Sequence, residues 1–167
     1  MKKTLLFISF LLLFITAACG DSDVDEFLAY QNEYVPSFMD QLDEADEMVD
    51  RIWDAETNEE MKLIIDDELD PLLSKLKDDM IEKKPKNSDM EKYHKLILDS
   101  FKAYTESLEL DVEAFNGFLN NSMATEETEQ FFSDSLDKFN EGYELAEESE
   151  KELDHLAEKY DLVEVDE

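Results

Sequence analysis

Cysteine occurs once in this chain of 167 residues, and glycine and proline three times each. A single thiol excludes an internal disulfide, so no covalent staple holds the fold. So few chain breakers exclude a turn-rich sheet protein and leave long helices as the way to use the length. Cations are scarce too: 15 Lys and Arg stand against 46 Asp and Glu, a formal charge of −31. That balance excludes ordinary nucleic-acid binding, which neutralises phosphates with Lys and Arg. The longest apolar run, Leu5 to Ile15, falls short of the roughly 20 residues that a membrane-crossing helix needs. No His-Glu-x-x-His, no Gly-x-Ser-x-Gly and no glycine-rich phosphate loop occurs, so the motifs that mark common hydrolases and nucleotide enzymes are missing. The sequence therefore nominates no catalytic residue, no metal ligand and no cofactor, and a non-enzymatic role is expected.

What is present is a core. Apolar residues make up 43% and aromatic residues 11% of the chain, too much for a solvated coil even at this charge, and they recur at helical spacing. The expected fold is all-α, an antiparallel up-down bundle of about four long helices over residues 26–162, followed by an acidic tail at 163–167. The first helix runs from about Ser22 to Ala55. The second opens at Thr57, which with Glu60 has capping-box spacing, and ends before Pro85. The third opens at Ser88 with Glu91 in the same spacing and runs to about Asn120. The fourth starts at Thr125, with Glu126 and Glu127 suited to its positive end, and reaches about Tyr160. Kinks are expected near Pro36 and Pro71, with Asp70 and Pro71 read as a cap and first-turn pair that would divide the second helix.

Periodicity assigns the inward faces. In the third helix Met90, Tyr93, Ile97, Phe101, Tyr104, Leu108, Val112, Phe115 and Leu119 follow steps of three and four, as one buried stripe requires. The first helix carries Val24, Leu28, Val35, Phe38, Leu42, Ala45, Val49 and Ile52, interrupted at Gln31. Phe132, Leu136, Phe139, Tyr143, Ala146, Leu153, Ala157 and Tyr160 mark the fourth, with Glu150 as the gap. Trp53, Phe27 and Tyr30 lie on or beside these stripes and are expected in the core.

The start of the chain is organised differently. Lys2 and Lys3 precede the apolar run Leu5 to Ile15, and the small residues Thr16, Ala17 and Ala18 precede Cys19, the order of an export signal with its cleavage region. Thr16-Ala17-Ala18-Cys19 resembles the lipobox that ends a bacterial lipoprotein signal peptide, with Thr16 departing from the leucine most common there. The resemblance implies that residues 1–18 are cleaved and that Cys19 becomes the first residue, carrying a diacylglycerol thioether. Residues 19–25 would then be the lipidated N-terminus and a short spacer. The composition, rich in Lys, Asp, Glu and Asn and poor in Gly, resembles that of Gram-positive lipoproteins and, distantly, of their cell-wall-binding helical members. This implies attachment to the cell membrane on its extracytoplasmic face. Past residue 18 the balance is 13 basic against 46 acidic residues, a charge of −33. Such a surface favours cationic protein or envelope partners and a monomeric body. The working expectation is a non-catalytic binding module, with an accessory to an envelope enzyme or a cation- or metal-sequestering lipoprotein as alternatives.

Two metal-like patterns need weighing. Glu91 and His94, and Glu152 and His155, have the Glu-x-x-His spacing that di-iron bundles use. At about 100° per residue His94 falls near the edge of the third helix's apolar stripe while His155 falls away from Leu153 and Ala157. The ligands of a di-iron site therefore do not all point inward, and both histidines are expected as solvated residues on helix surfaces. Asp21, Asp23 and Asp25 are spaced as a calcium loop begins, but its sixth position, which requires Gly, holds Glu26, and its twelfth holds Asn32. A polar lead into the first helix is the expected role.

Overall fold

The computed structural model describes residues 22–82, 84–120 and 124–162, and every regular element among them is helical. Four antiparallel arms result. The first joins α1 (Ser22–Ala29) through one π-helical turn (Tyr30–Tyr34) to α2 (Val35–Asp54). The second joins α3 (Asn58–Ile64) through another π turn (Ile65–Leu69) to α4 (Asp70–Glu82). A 3₁₀ turn (Ser88–Met90) leads into α5 (Glu91–Leu119), and α6 (Thr125–Lys159) is the fourth arm.

The prolines explain the π turns. A proline inside a helix cannot donate to the carbonyl four residues back, and its ring crowds that carbonyl. Just ahead of each proline the helix widens: the Val35 N–H reaches back five residues to the Tyr30 carbonyl, and the Asp70 N–H to the Ile65 carbonyl. Pro36 and Pro71 each follow directly on such a residue, so both arms continue as helix with one wide turn. Asp70 is helical, at φ −59° and ψ −44°, which corrects its reading as an N-cap.

The other helix starts show one expected cap and one shifted one. The Thr57 hydroxyl accepts from the Glu60 N–H at 3.1 Å, while the Glu60 carboxylate accepts from the Glu56 N–H at 3.1 Å. At the third arm Asn87, not Ser88, is the cap, its side-chain oxygen accepting from the Asp89 N–H at 2.9 Å. Glu127 accepts from the Ala124 N–H at 3.2 Å; alanine offers no oxygen in return, so α6 opens on half a capping box. It closes with the Leu162 N–H on the Ala157 carbonyl at 2.9 Å and the Asp161 N–H on the Glu158 carbonyl at 3.2 Å. This is a Schellman ending, with Asp161 at φ 53° in the left-handed place that glycine usually takes.

α5 is the hub. Its expected stripe is buried from Met90 and Tyr93 through Ile97, Phe101, Leu108 and Val112 to Phe115, and Phe101 stacks on Phe38 of α2 with ring centroids 4.1 Å apart. A second stripe, Ser100, Ala103, Ser107 and Ala114, is buried as well. Opposite it α6 buries Ser135, Gly142, Ala146 and Ser149. The Ser100 hydroxyl donates to the Gly142 carbonyl at 2.8 Å, and the Ser107 and Ser135 hydroxyls lie 3.1 Å apart. A Cβ on Gly142 would sit 3.2 Å from the Ser100 carbonyl oxygen and from the Tyr104 ring, a tight fit that a larger residue gains only if the neighbouring helix gives way. With this seam inward, Ala146 is buried and Phe132, Leu153 and Tyr160 of the expected α6 stripe still pack against the core, while Leu136 and Tyr143 are left exposed. Among the described residues no helix is long and apolar enough to cross a membrane.

Candidate functional site

The two ends of the bundle are built differently. At the end where α1 begins, Phe27 is fully buried between the Tyr93 and Tyr160 rings, at 6.4 and 5.5 Å. The Glu26 carboxylate accepts from the Lys86 and Asn87 N–H groups at 2.6 and 3.0 Å, tying the connection before α5 to α1. The Asn87 amide donates to the Tyr160 hydroxyl at 2.5 Å.

Inside this end the π turn Tyr30–Tyr34 aims polar groups at α5. Tyr93 donates its hydroxyl proton to the Gln31 carbonyl oxygen. The Tyr30 hydroxyl and His94 Nδ1 are 2.7 Å apart, the phenol donating when the imidazole carries its proton on Nε2. Burial drives the Tyr30 and Tyr93 hydroxyls well above the usual phenol range. Burial, with Lys84 adding to it, lowers the pKa of His94. These groups therefore stay neutral at pH 7, as hydrogen-bonded buried polar groups should. A surface pocket of about 300 Å³ opens beside them, lined by Glu26, Tyr30, Glu33, Tyr34, Lys84 and Pro85. Tyr34 is pushed up to about 12 by burial and by the Asp79 charge.

At the other end lie the turn before α3 and the start of α6. Trp53 is 60% exposed although its ring meets Phe115 at 4.9 Å and Phe132 at 5.4 Å. Phe118, one turn beyond Phe115, is 62% exposed. Between α2 and α3 a cavity of about 510 Å³ is lined by Arg51, Asp54, Glu59, Glu60, Leu63 and Glu68, and Arg51 closes one side with a two-pronged pair to Glu68 at 2.7 and 2.9 Å.

Of the residues singled out in sequence, the export signal 1–18, Cys19, Asp21 and the tail 163–167 lie outside the described residues. Asp23 and Asp25 stand in the first turns of α1, so they belong to a helix instead of a loop. Glu91 and His155 are exposed, and Glu152 pairs with Lys92. His94 corrects the expectation of a solvated histidine: it is buried on Tyr30, facing the core. The two Glu-x-x-His motifs thus do not converge, and no group of three or more His, Cys, Asp and Glu among the described residues could hold a metal ion. Phe27 and Tyr30 are core as expected, whereas Trp53 is mostly in solvent. The buried network around Gln31 escaped the sequence reading, although its signal was there: Gln31 stands where the apolar repeat of the first helix is interrupted. Neither a family model, nor a curated protein, nor a solved structure matches this chain.

Proposed function

We propose that the protein is a lipid-anchored component of the cell envelope, held at the extracytoplasmic face of the cell membrane through Cys19 and acting there as a non-catalytic interaction module. The observation that carries this reading is the order of Lys2 and Lys3, the apolar run Leu5 to Ile15, and Thr16-Ala17-Ala18-Cys19. Two acyl chains on one cysteine suffice for stable attachment, since each buried methylene contributes about 0.8 kcal/mol. Geometry supports the division of labour. α1 begins at Ser22, three residues after Cys19, and the first arm runs on to Asp54. At 1.5 Å per residue the exposed aromatic end then stands about 50 Å from the start of α1, and an acidic body is repelled by anionic headgroups.

Intact mass analysis of the protein from membranes is the test. The expected species begins at Cys19 and carries a diacylglycerol on sulfur, and Cys19→Ser releases the protein from the membrane fraction. An unmodified thiol on a chain that retains residues 1–18 overturns the anchoring. A second reading, diffuse cation binding, is supported by carboxylate crowding: burial and neighbouring carboxylates raise the pKa of Asp43, Asp70 and Glu150. Equilibrium dialysis with calcium would show saturable, stoichiometric binding only if a dedicated site exists.

A further inference from the structure

Trp53, Leu136 and Tyr143 form a strip along α6, while Leu63, also exposed, lies apart on the cavity between α2 and α3. Trp53 packs on Phe132 of α6. Leu136 and Tyr143, 48% and 38% exposed, follow Phe132 at four and eleven residues, which at about 100° per residue places them on its side of the helix. Phe118, 62% exposed, stands one turn beyond Phe115, whose ring Trp53 meets. From Phe132 to Tyr143 the strip measures about 17 Å along α6, enough for the i, i+3, i+4 and i+7 anchors of one docked helix.

Both segments that bank the strip are acidic, and on α6 Glu126, Glu129, Asp137 and Glu144 lie within about 120° of Tyr143. Residues 40–54 hold seven carboxylates and one cation, Arg51, and residues 125–144 hold seven carboxylates and one cation, Lys138. Both cations are engaged within the fold, Arg51 with Glu68 and Lys138 with Glu106 and Glu141 at 3.0 and 2.8 Å. A second copy would bring the same carboxylates face to face, with −33 on each chain past residue 18. An anionic bilayer meets the same repulsion.

We propose that this strip is the docking face for a cationic amphipathic helix of a partner protein, whose apolar side covers Trp53, Phe118, Leu136 and Tyr143 while its Lys and Arg face the two acidic banks. The proposal rests on the reading of the protein as an interaction module and names the chemistry of its partner. Association would be fast at low salt and would slow as salt screens the field.

Trp53 is the only tryptophan in the chain, so its emission reports on this face alone. The test uses the full chain in zwitterionic nanodiscs and a synthetic Lys/Leu peptide of roughly 18 residues with one apolar face. A scrambled peptide of the same composition serves as control. Expected are a blue shift of Trp53 emission and protection from acrylamide quenching with the amphipathic peptide, and at least about tenfold weaker binding of the scrambled one. Leu136→Glu and Phe118→Glu, both at exposed positions, should each weaken binding about tenfold with helix content unchanged by circular dichroism. Equal binding of the two peptides, or binding that leaves Trp53 emission unmoved, overturns the proposal. So does a concentration-dependent blue shift without peptide, which gives the face to a second copy, or quenching of Trp53 by bromine-labelled lipids, which gives it to the bilayer. The mass of Cys19 in the same sample separates the two readings: a lipidated cysteine with no peptide binding rejects docking alone, and a bound peptide on an unmodified thiol supports docking and rejects the anchor.

Discussion

The two ends of this bundle are made from the same kinds of residue and reach opposite states. Near α1, Phe27, Tyr30, Tyr93 and Tyr160 are packed together, with polar tips on Gln31, His94 and Asn87. At the far end Trp53 and Phe118 are mostly in water. The difference is one of coverage. The near end is roofed by the connection before α5, which Glu26 ties down, and by the Schellman ending of α6. At the far end α2 stops at Asp54 while α5 runs on past Phe115, so the aromatic face of α5 outlasts the helix that would cover it. Aromatic content is thus no guide to burial; what matters is whether a neighbouring arm reaches the same height.

The contrast breaks most sharply by truncation. Phe27→Ala should cost about 3–5 kcal/mol, as for other fully buried Phe side chains, read as a lower urea midpoint by circular dichroism. A cost below 1 kcal/mol would mean that the near end is looser than its rings imply. Gln31→Leu removes the acceptor of the Tyr93 hydroxyl and leaves a buried donor unpaired, for an expected loss of about 1–3 kcal/mol. Adding Tyr93→Phe should recover much of it, and failure to recover would place the damage in packing. Thr57→Ala, at the cap of α3, should cost about 1 kcal/mol, measured in the same urea titration.

His94 sharpens the comparison through pH. Its pKa is lowered in the folded protein, so the unfolded chain takes up the proton more readily. Its contribution is complete above its unfolded value, about 6.5, and is lost as pH falls from there towards its lowered folded value. Asp43, Asp70 and Glu150 have raised values and act oppositely, adding stability on acidification. The stability advantage of the native protein over His94→Gln should therefore shrink between pH 7.5 and 5.5; an advantage that stays constant would put His94 in contact with solvent. The smallest effect is at the open end, where Phe118→Ala should change stability by no more than about 0.5 kcal/mol. A larger loss would show that the far end is covered in solution.

Much of this arrangement was legible along the chain. The stripe from Met90 to Phe115 is buried as its spacing predicts, and Thr57 caps as its capping-box spacing requires. The polar interruptions carried information too. Gln31 fills a core position because Tyr93 donates to it, and Glu150, the gap in the fourth stripe, is partly buried with its pKa raised. The face of α6 was legible in part: Phe132, Ala146, Leu153 and Tyr160 pack inward as their spacing predicts, whereas Leu136 and Tyr143 do not. A hydropathy pattern weights Leu136 and Tyr143 over Ser135, Gly142 and Ser149, yet close approach of two backbones depends on small side chains, and the small residues won.

The sequence by itself determined the helical class, the places where the helices start and widen, and the negative charge of the surface, because these follow from local spacing, from the missing N–H of Pro36 and Pro71, and from composition. Only the tertiary structure decided which aromatics are covered, which histidine is interior and which members of the α6 stripe turn outward. Those depend on how far each arm extends beside its neighbours and on how closely Ser100 and Gly142 let α5 and α6 meet, distances that no single stretch of chain contains.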